Sequence, residues 1–208
     1  NKIDKIDPSF KNLKNTQSVF LNCFFNSQKA DLLFRNLIAN KDIDFSRYTY
    51  FYGTFLLNTD KVHQAKQIVE SALKLYPRHL LLNQLKLDLI SNNYKYNFDC
   101  QNLSHIVAEI FYIAANVLSS QNVFNLSNFY LNLAKYLHND FYSFDALIAE
   151  NFYKIENYNQ ARIIYEKIEK KGEAYFWYAA KQKARILIKE KKKRGSYQKI
   201  NFIISKII

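Results

Sequence analysis

Apolar residues recur at intervals of three and four through nearly the whole chain, the period of an α-helix with one buried face. The clearest stretch runs from Ser46 to His79. Its first segment sets Tyr52, Gly53 and Leu56 on one face. Its second sets Ala65, Val69, Ala72 and Leu73 at i, i+4, i+7 and i+8. Asn58, Thr59 and Asp60 form a polar turn between them, and Thr59 or Asp60 is expected to cap the second helix through its side-chain oxygen. Leu80 to Ile90 reads as one more helix, after which SNNYKYNFDCQN (91–102) breaks the pattern. Two further pairs follow, around Ala115–Ala134 and Ala149–Ile168. A last helix is expected from Tyr175 to Glu190, then a long turn at EKKKRGS. Nearer the start, Gln17–Phe25 and Gln28–Ala39 read as a degenerate pair. The pattern predicts an all-α chain of about ten to twelve antiparallel helices with no sheet.

Small residues punctuate this pattern at fixed intervals. Gly53, Ala65, Ala72 and Pro77 are separated by 12, 7 and 5 residues. Ala115, Ser127 and Ala134 repeat the 12 and 7, with Asn139 where the proline would stand. Ala149 and Ala161 come 34 residues after Ala115 and Ser127, with Tyr158 just before and Ile168 in place of the next alanine. Ala30 and Phe34 lie 35 residues before Ala65 and Val69. Small side chains let two helices cross closely. A glycine inside a helix costs about 1 kcal/mol relative to alanine, which is tolerable at Gly53 if a neighbouring helix presses on the bare backbone. From Gly53 to Ala115 the interval is 62 rather than twice 34, so the unit near 91–102 is irregular and is the candidate hinge.

This spacing resembles the tetratricopeptide repeat, a helix–turn–helix unit of about 34 residues that stacks on its neighbours. The segments NFYLNLAKYLHNDF, ENFYKIENYNQARIIYEKI and YFWYAAKQKARIL look like those of long bacterial tetratricopeptide proteins. The resemblance implies a right-handed α-α superhelix over residues 1–208, read as a piece of a longer array. Its implied role is to bind a peptide or partner helix in a concave groove.

Composition agrees with helices joined by short turns, with only 3 Gly and 2 Pro. The net charge of +12 is concentrated: residues 181–208 hold ten Lys or Arg against Glu190 alone. Abundant Lys, Asn, Phe, Tyr and Ile reads as the bias of an AT-rich genome, but such bias does not concentrate charge at one end. Cys23 and Cys100 are expected as two separate buried thiols. Ile110 to Ala134 carries no charged residue, yet polar residues interrupt it too often for a membrane span. No signal peptide is read at NKIDKIDPSF. A cytoplasmic and a cell-envelope location both stay open. The apolar end YQKINFIISKII is expected to continue the array or to mediate self-association.

HExxH, P-loop, GxGxxG and GxSxG motifs are absent from the sequence. His63, His79, His105 and His138 fall near turns and helix ends and are expected as surface or capping residues. No catalytic residue, metal or cofactor is expected, and the chain is read as a non-enzyme. By the resemblance, groove positions fall on Tyr50, Thr54 and Asn58, then Tyr112 and Asn116, then Glu150, Tyr153 and Lys154. In the last unit they fall on Lys181, Arg185 and Lys189, which share one helix face at i, i+4 and i+8. Relatives that grip a peptide carboxylate carry Lys where this chain has Tyr50 and Tyr112. Only Asn116 matches, so that clamp is not expected. The expected partner is a protein or peptide with acidic residues. The alternative is single-stranded RNA, as in pentatricopeptide repeats, held by the same row and by Lys191 to Arg194.

Overall fold

The computed structural model describes residues 8–40, 43–94 and 97–194. These form ten α-helices and, among the described residues, no strand. In chain order they are α1 (Pro8–Phe24), α2 (Ala30–Ala39), α3 (Ser46–Asn58), α4 (Val62–Leu75) and α5 (Leu80–Ile90). Then come α6 (Leu103–Ser120), α7 (Phe124–Leu137), α8 (Ser143–Lys154), α9 (Tyr158–Ile168) and α10 (Glu173–Arg194). A short 3-10 turn, Glu169–Lys171, precedes α10. The all-α expectation holds. Of the turn expected at 190–196, residues 190–194 are helical instead, because α10 runs through them, and 195–196 lie outside the described residues. Lys and Arg are good helix formers, and Arg162 of α9 ties down Glu190 at 2.8 Å. The apolar end at 197–208 and the self-association expected of it also lie outside the described residues.

Five of the turns share one geometry. Asn26, Asp60, Asn92, Asn122 and Glu156 all adopt left-handed backbone, with φ between 49° and 63°. Each ends a helix with the same bond: the following amide reaches the carbonyl four residues before the left-handed residue. The pairs are Ser27 to Asn22, Lys61 to Leu56, Asn93 to Asp88, Val123 to Leu118 and Asn157 to Phe152, at 2.8–3.0 Å. This is the six-to-one bond of a Schellman cap. Asn26 and Asp60 are 34 apart, as are Asn122 and Glu156, while the two intervals between them are 32 and 30. The cap expected from Thr59 or Asp60 is not made. Thr59 instead donates back to the Phe55 and Leu56 carbonyls at 3.1 and 3.2 Å, and Asp60 supplies the left-handed turn.

The small residues sit where the spacing put them. Gly53, Ala65, Ala72, Ala115, Ser127, Ala134, Ala149 and Ala161 are all buried. Two glycines grip α5. A methyl group on Gly53 would stand 3.0 Å from Leu85, and one on Gly172 would overlap the Gln84 amide at 2.3–2.6 Å. Gln84 in turn accepts from the Ala174 amide at 3.1 Å. So α5 packs on α3 and α4 and also on α10, far away in sequence.

That contact changes the architecture from a simple stack. Helices adjacent in sequence pack as pairs within α1–α5 and within α6–α10. No helix follows α5 to complete its pair; residues 97–102 bridge to α6 instead. The two five-helix halves then close on each other through α5 with α10. Phe20, Phe51 and Phe98 meet Phe141 and Phe144 in one aromatic core at this join. The cysteines correct the expectation of separate thiols: Cys23 and Cys100 are buried together as a disulfide, Cα atoms 5.7 Å apart, linking α1 to the bridging segment.

Glu156 is the one turn residue of the five that is neither Asn nor Asp. A left-handed conformation costs such a residue about 1 kcal/mol or more. Glu156→Gly should therefore stabilise the chain by about 0.5–1 kcal/mol, read as a raised urea midpoint at unchanged slope. The same change at exposed Glu166 in mid-helix should destabilise it.

Candidate functional site

The expected groove residues divide into an interior set and a surface set. Tyr50 and Thr54 are buried in α3. The Tyr50 ring lies 5.8 Å from Phe141 across the join, and Thr54 donates to the Phe51 carbonyl at 2.8 Å. Tyr112 is half-buried beneath Arg47, whose guanidinium carbon stands 3.5 Å above its ring centre. Tyr50 and Tyr112 therefore face the opposite half of the molecule rather than an open channel, and Thr54 is turned back onto its own helix. Asn58 and Asn116 are exposed at the ends of their helices.

The remaining residues come together on α8 and α10. Arg185 pairs with Glu150 at 3.4 Å and lies 4.5 Å over the Tyr153 ring. It also bonds to Gln182 one turn earlier. Tyr165 of α9 donates to the same Glu150 carboxylate at 3.4 Å. Burial and the Tyr178 and Glu150 neighbours push the Tyr165 hydroxyl far up from its ordinary pKa, so it stays a donor. Glu150 thus holds Arg185 upright against a tyrosine face. Lys181 and Lys189 flank it one turn away on either side, both exposed. Lys154 is exposed at the end of α8, 5.5 Å from the Phe124 ring. The result is a cationic ridge on α10 with one fixed and two mobile-length side chains. Among the described residues no group of three or more His, Cys, Asp or Glu is placed to hold a metal ion.

The most elaborate polar constellation was not read from the sequence. Arg47 of α3 forks onto Glu109 of α6, its Nε and Nη2 donating to Oε1 and Oε2 at 2.7 and 2.6 Å. Its Nη1 donates to Ser143 of α8 at 3.1 Å. Phe51 and Phe141 complete the aromatic box around it. Burial works against both charges, but the bidentate pair holds Arg47 well above its usual range, fully protonated. Burial pushes the Glu109 carboxyl up and Arg47 pulls it back. The only sequence signal was a glutamate on the apolar face of a helix that is otherwise uncharged from Ile110 onward. A second network is likewise buried: Asn151 donates to Ser127 and Asn128 at 2.9 and 2.8 Å and accepts from Ser119 at 2.6 Å.

His63 is exposed as expected, but His105 and His138 depart from a surface or capping role. His138 is buried and stacks face to face on His105, ring centres 3.7 Å apart. His79 does cap a helix, accepting from the Leu82 amide at 3.3 Å. Burial lowers all three: His79 to about 4, His138 to about 3 with help from the neighbouring His105, and His105 below its usual value.

α6 is long and apolar enough, by length and composition alone, to cross a membrane. It carries Glu109 in a buried ion pair and packs one flank on α7 and α8, and 28% of it is buried. Comparison with protein-family models, curated proteins and solved structures gives no match.

Removing one partner of a buried ion pair strands the other charge. Arg47→Met should cost about 3–5 kcal/mol, whereas the double change Arg47→Met with Glu109→Leu should recover most of that loss in urea unfolding. Acid should act through the histidines. Their folded pKa values lie below the unfolded value, so the stability they contribute is present above pH 6.5 and is lost as pH falls through about 4. Unfolding midpoints measured from pH 7.5 to 4.5 should fall accordingly. His79→Asn, which keeps a cap without titrating, should flatten part of that slope.

Proposed function

We propose that the chain is a non-catalytic scaffold that binds an extended acidic peptide or the acidic face of a partner helix along α10. The observation that carries this reading is the ridge Lys181, Arg185 and Lys189. Arg185 is fixed by Glu150 and Tyr153, and the two lysines stand exposed on either side. A pre-positioned arginine loses little freedom on meeting a carboxylate and can take it with two parallel bonds. The flanking lysines supply steering charge. Lys154, at the end of α8, is also exposed. That the helix pairs follow the right-handed superhelix of tetratricopeptide proteins is part of this proposal, supported by the recurring turn geometry and the buried small residues. The disulfide favours an oxidising compartment, of the two locations the sequence left open, the cell envelope.

The RNA-binding alternative uses the same cations and is separated by salt and nuclease. Pull-downs with the full chain at two salt concentrations, with and without nuclease, should retain a protein partner in every arm. Phosphate contacts release counterions, so an RNA complex would weaken steeply with salt. Lys181→Glu combined with Lys189→Glu should slow association with the retained protein by about tenfold or more at low salt, since rim charges act mainly on the on-rate. Retention that depends on RNA, or an association rate unchanged by the double reversal, would overturn the reading.

A further inference from the structure

A polar cavity of about 490 Å³ lies where α5 of the first half meets the start of α10 in the second. Its buried side is built by Gln84 and Tyr175, 9% and 4% exposed. Gln84 is held from both ends: its Oε1 accepts from the Ala174 amide at 3.1 Å, and its Nε2 donates to Asp88 Oδ1 at 2.7 Å. Gly172 makes room for this, since a methyl group there would overlap the Gln84 amide. Asp88 is thereby fixed as one wall of the cavity, half-buried, and burial pushes its carboxyl up. The other walls come from the second half. Asp140 precedes α8, and Lys170 and Lys171 precede α10. Tyr142 stands between them: its hydroxyl donates to Asp140 at 3.3 Å, and the Lys171 ammonium lies 4.7 Å from its ring centre. Two carboxylates and two ammonium groups therefore line one cavity. Among the described residues none of the four is in an ion pair.

We propose that this cavity binds a small zwitterion, an amino acid or dipeptide whose ammonium meets Asp88 and Asp140 and whose carboxylate meets Lys170 and Lys171. The charges choose the class. Opposite charges around one partly desolvated space attract strongly, yet side chains from separate elements hold these apart. A ligand with a single charge would satisfy one pair and repel the other. A neutral ligand would leave all four uncompensated. A short molecule carrying both signs closes both pairs at once, through charge-assisted bonds, which are the stronger kind. The start of α10 adds to the preference at the carboxylate end, since the first turn of a helix favours negative charge. Burial pushes the Tyr175 hydroxyl far up from its ordinary pKa, so it stays a donor. The volume suits such a guest, ligand cavities commonly spanning about 300–1,000 Å³. Asp140, Lys170 and Lys171 are exposed, so the cavity opens to solvent and admits a ligand. None of these residues belongs to the α10 ridge of Lys181, Arg185 and Lys189, so the two proposals fail independently.

A ligand that binds only the folded chain raises its thermal midpoint, so unfolding of the full chain with each standard amino acid and with glycylglycine, at about 10 mM, tests this. At least one of them should raise the midpoint, and calorimetric titration of the best then gives its affinity. N-acetylation or amidation of that compound removes one charge and should weaken binding by about tenfold or more, as should Asp88→Asn and Lys171→Gln. Asp88→Asn keeps an acceptor for Gln84, and helical circular dichroism guards against misfolding. Lys171 is exposed, so its change tests the site without disturbing the join. Lys66→Gln, exposed on α4, should leave the affinity intact. No shift with any of these compounds overturns the proposal. So does binding that survives both derivatives, binding indifferent to both variants, or a larger shift with glucose or inorganic phosphate, which would mark a sugar or anion site instead.

Discussion

Arg47 decides how this chain is arranged. A guanidinium cannot shed its proton, so once removed from water it must find a carboxylate and further acceptors. It finds Glu109 on α6 and Ser143 on α8, and four aromatic rings close over it. That requirement fixes α3 of the first half against α6 and α8 of the second. The aromatic core, the histidine stack and the disulfide all lie along the same join. Replacing the pair with apolar side chains of similar size would satisfy the same space, so the pair contributes geometry more than net stability. Its fork permits one relative placement of the two halves where oily surfaces alone would permit several.

Much of the fold was legible from spacing. Ala65, Ala115, Ala149 and Ala161 are buried where a 34-residue unit puts them, and α5 runs over the residues read from the pattern. Periodicity reports which face of a helix is buried, and small residues report where helices cross. Neither reports what a helix meets at a distance. The closing of α5 on α10 rests on Gly172 and Gln84, which carry no periodic signal. Nor does the pairing of Cys23 with Cys100, 77 residues apart, leave any periodic mark. Helix ends were less legible: lysines at 191–193 look like a turn to a reading based on apolar residues, though they form helices readily.

The candidate ligand positions divide along the same line. Tyr50, Thr54 and Tyr112 were assigned from the geometry of an open array; in this chain the other half meets Tyr50 and Tyr112, and Thr54 is buried against its own helix. Glu150, Tyr153 and Arg185 come from neighbouring helices within one half, where local repeat geometry governs, and they meet. A position inferred from a repeat is informative as far as its neighbours in sequence are also its neighbours in space.

The closure of one half on the other also shapes how the chain comes to be folded. Helix pairs joined by short turns form contacts within a few tens of residues, and such local contacts assemble quickly. The join links residues 62 and 96 apart at Arg47, and 90 apart at Gln84. Bringing those ends together costs chain entropy before any contact is gained. Two halves that form first through local contacts and dock late, α5 against α10, is the order these distances favour.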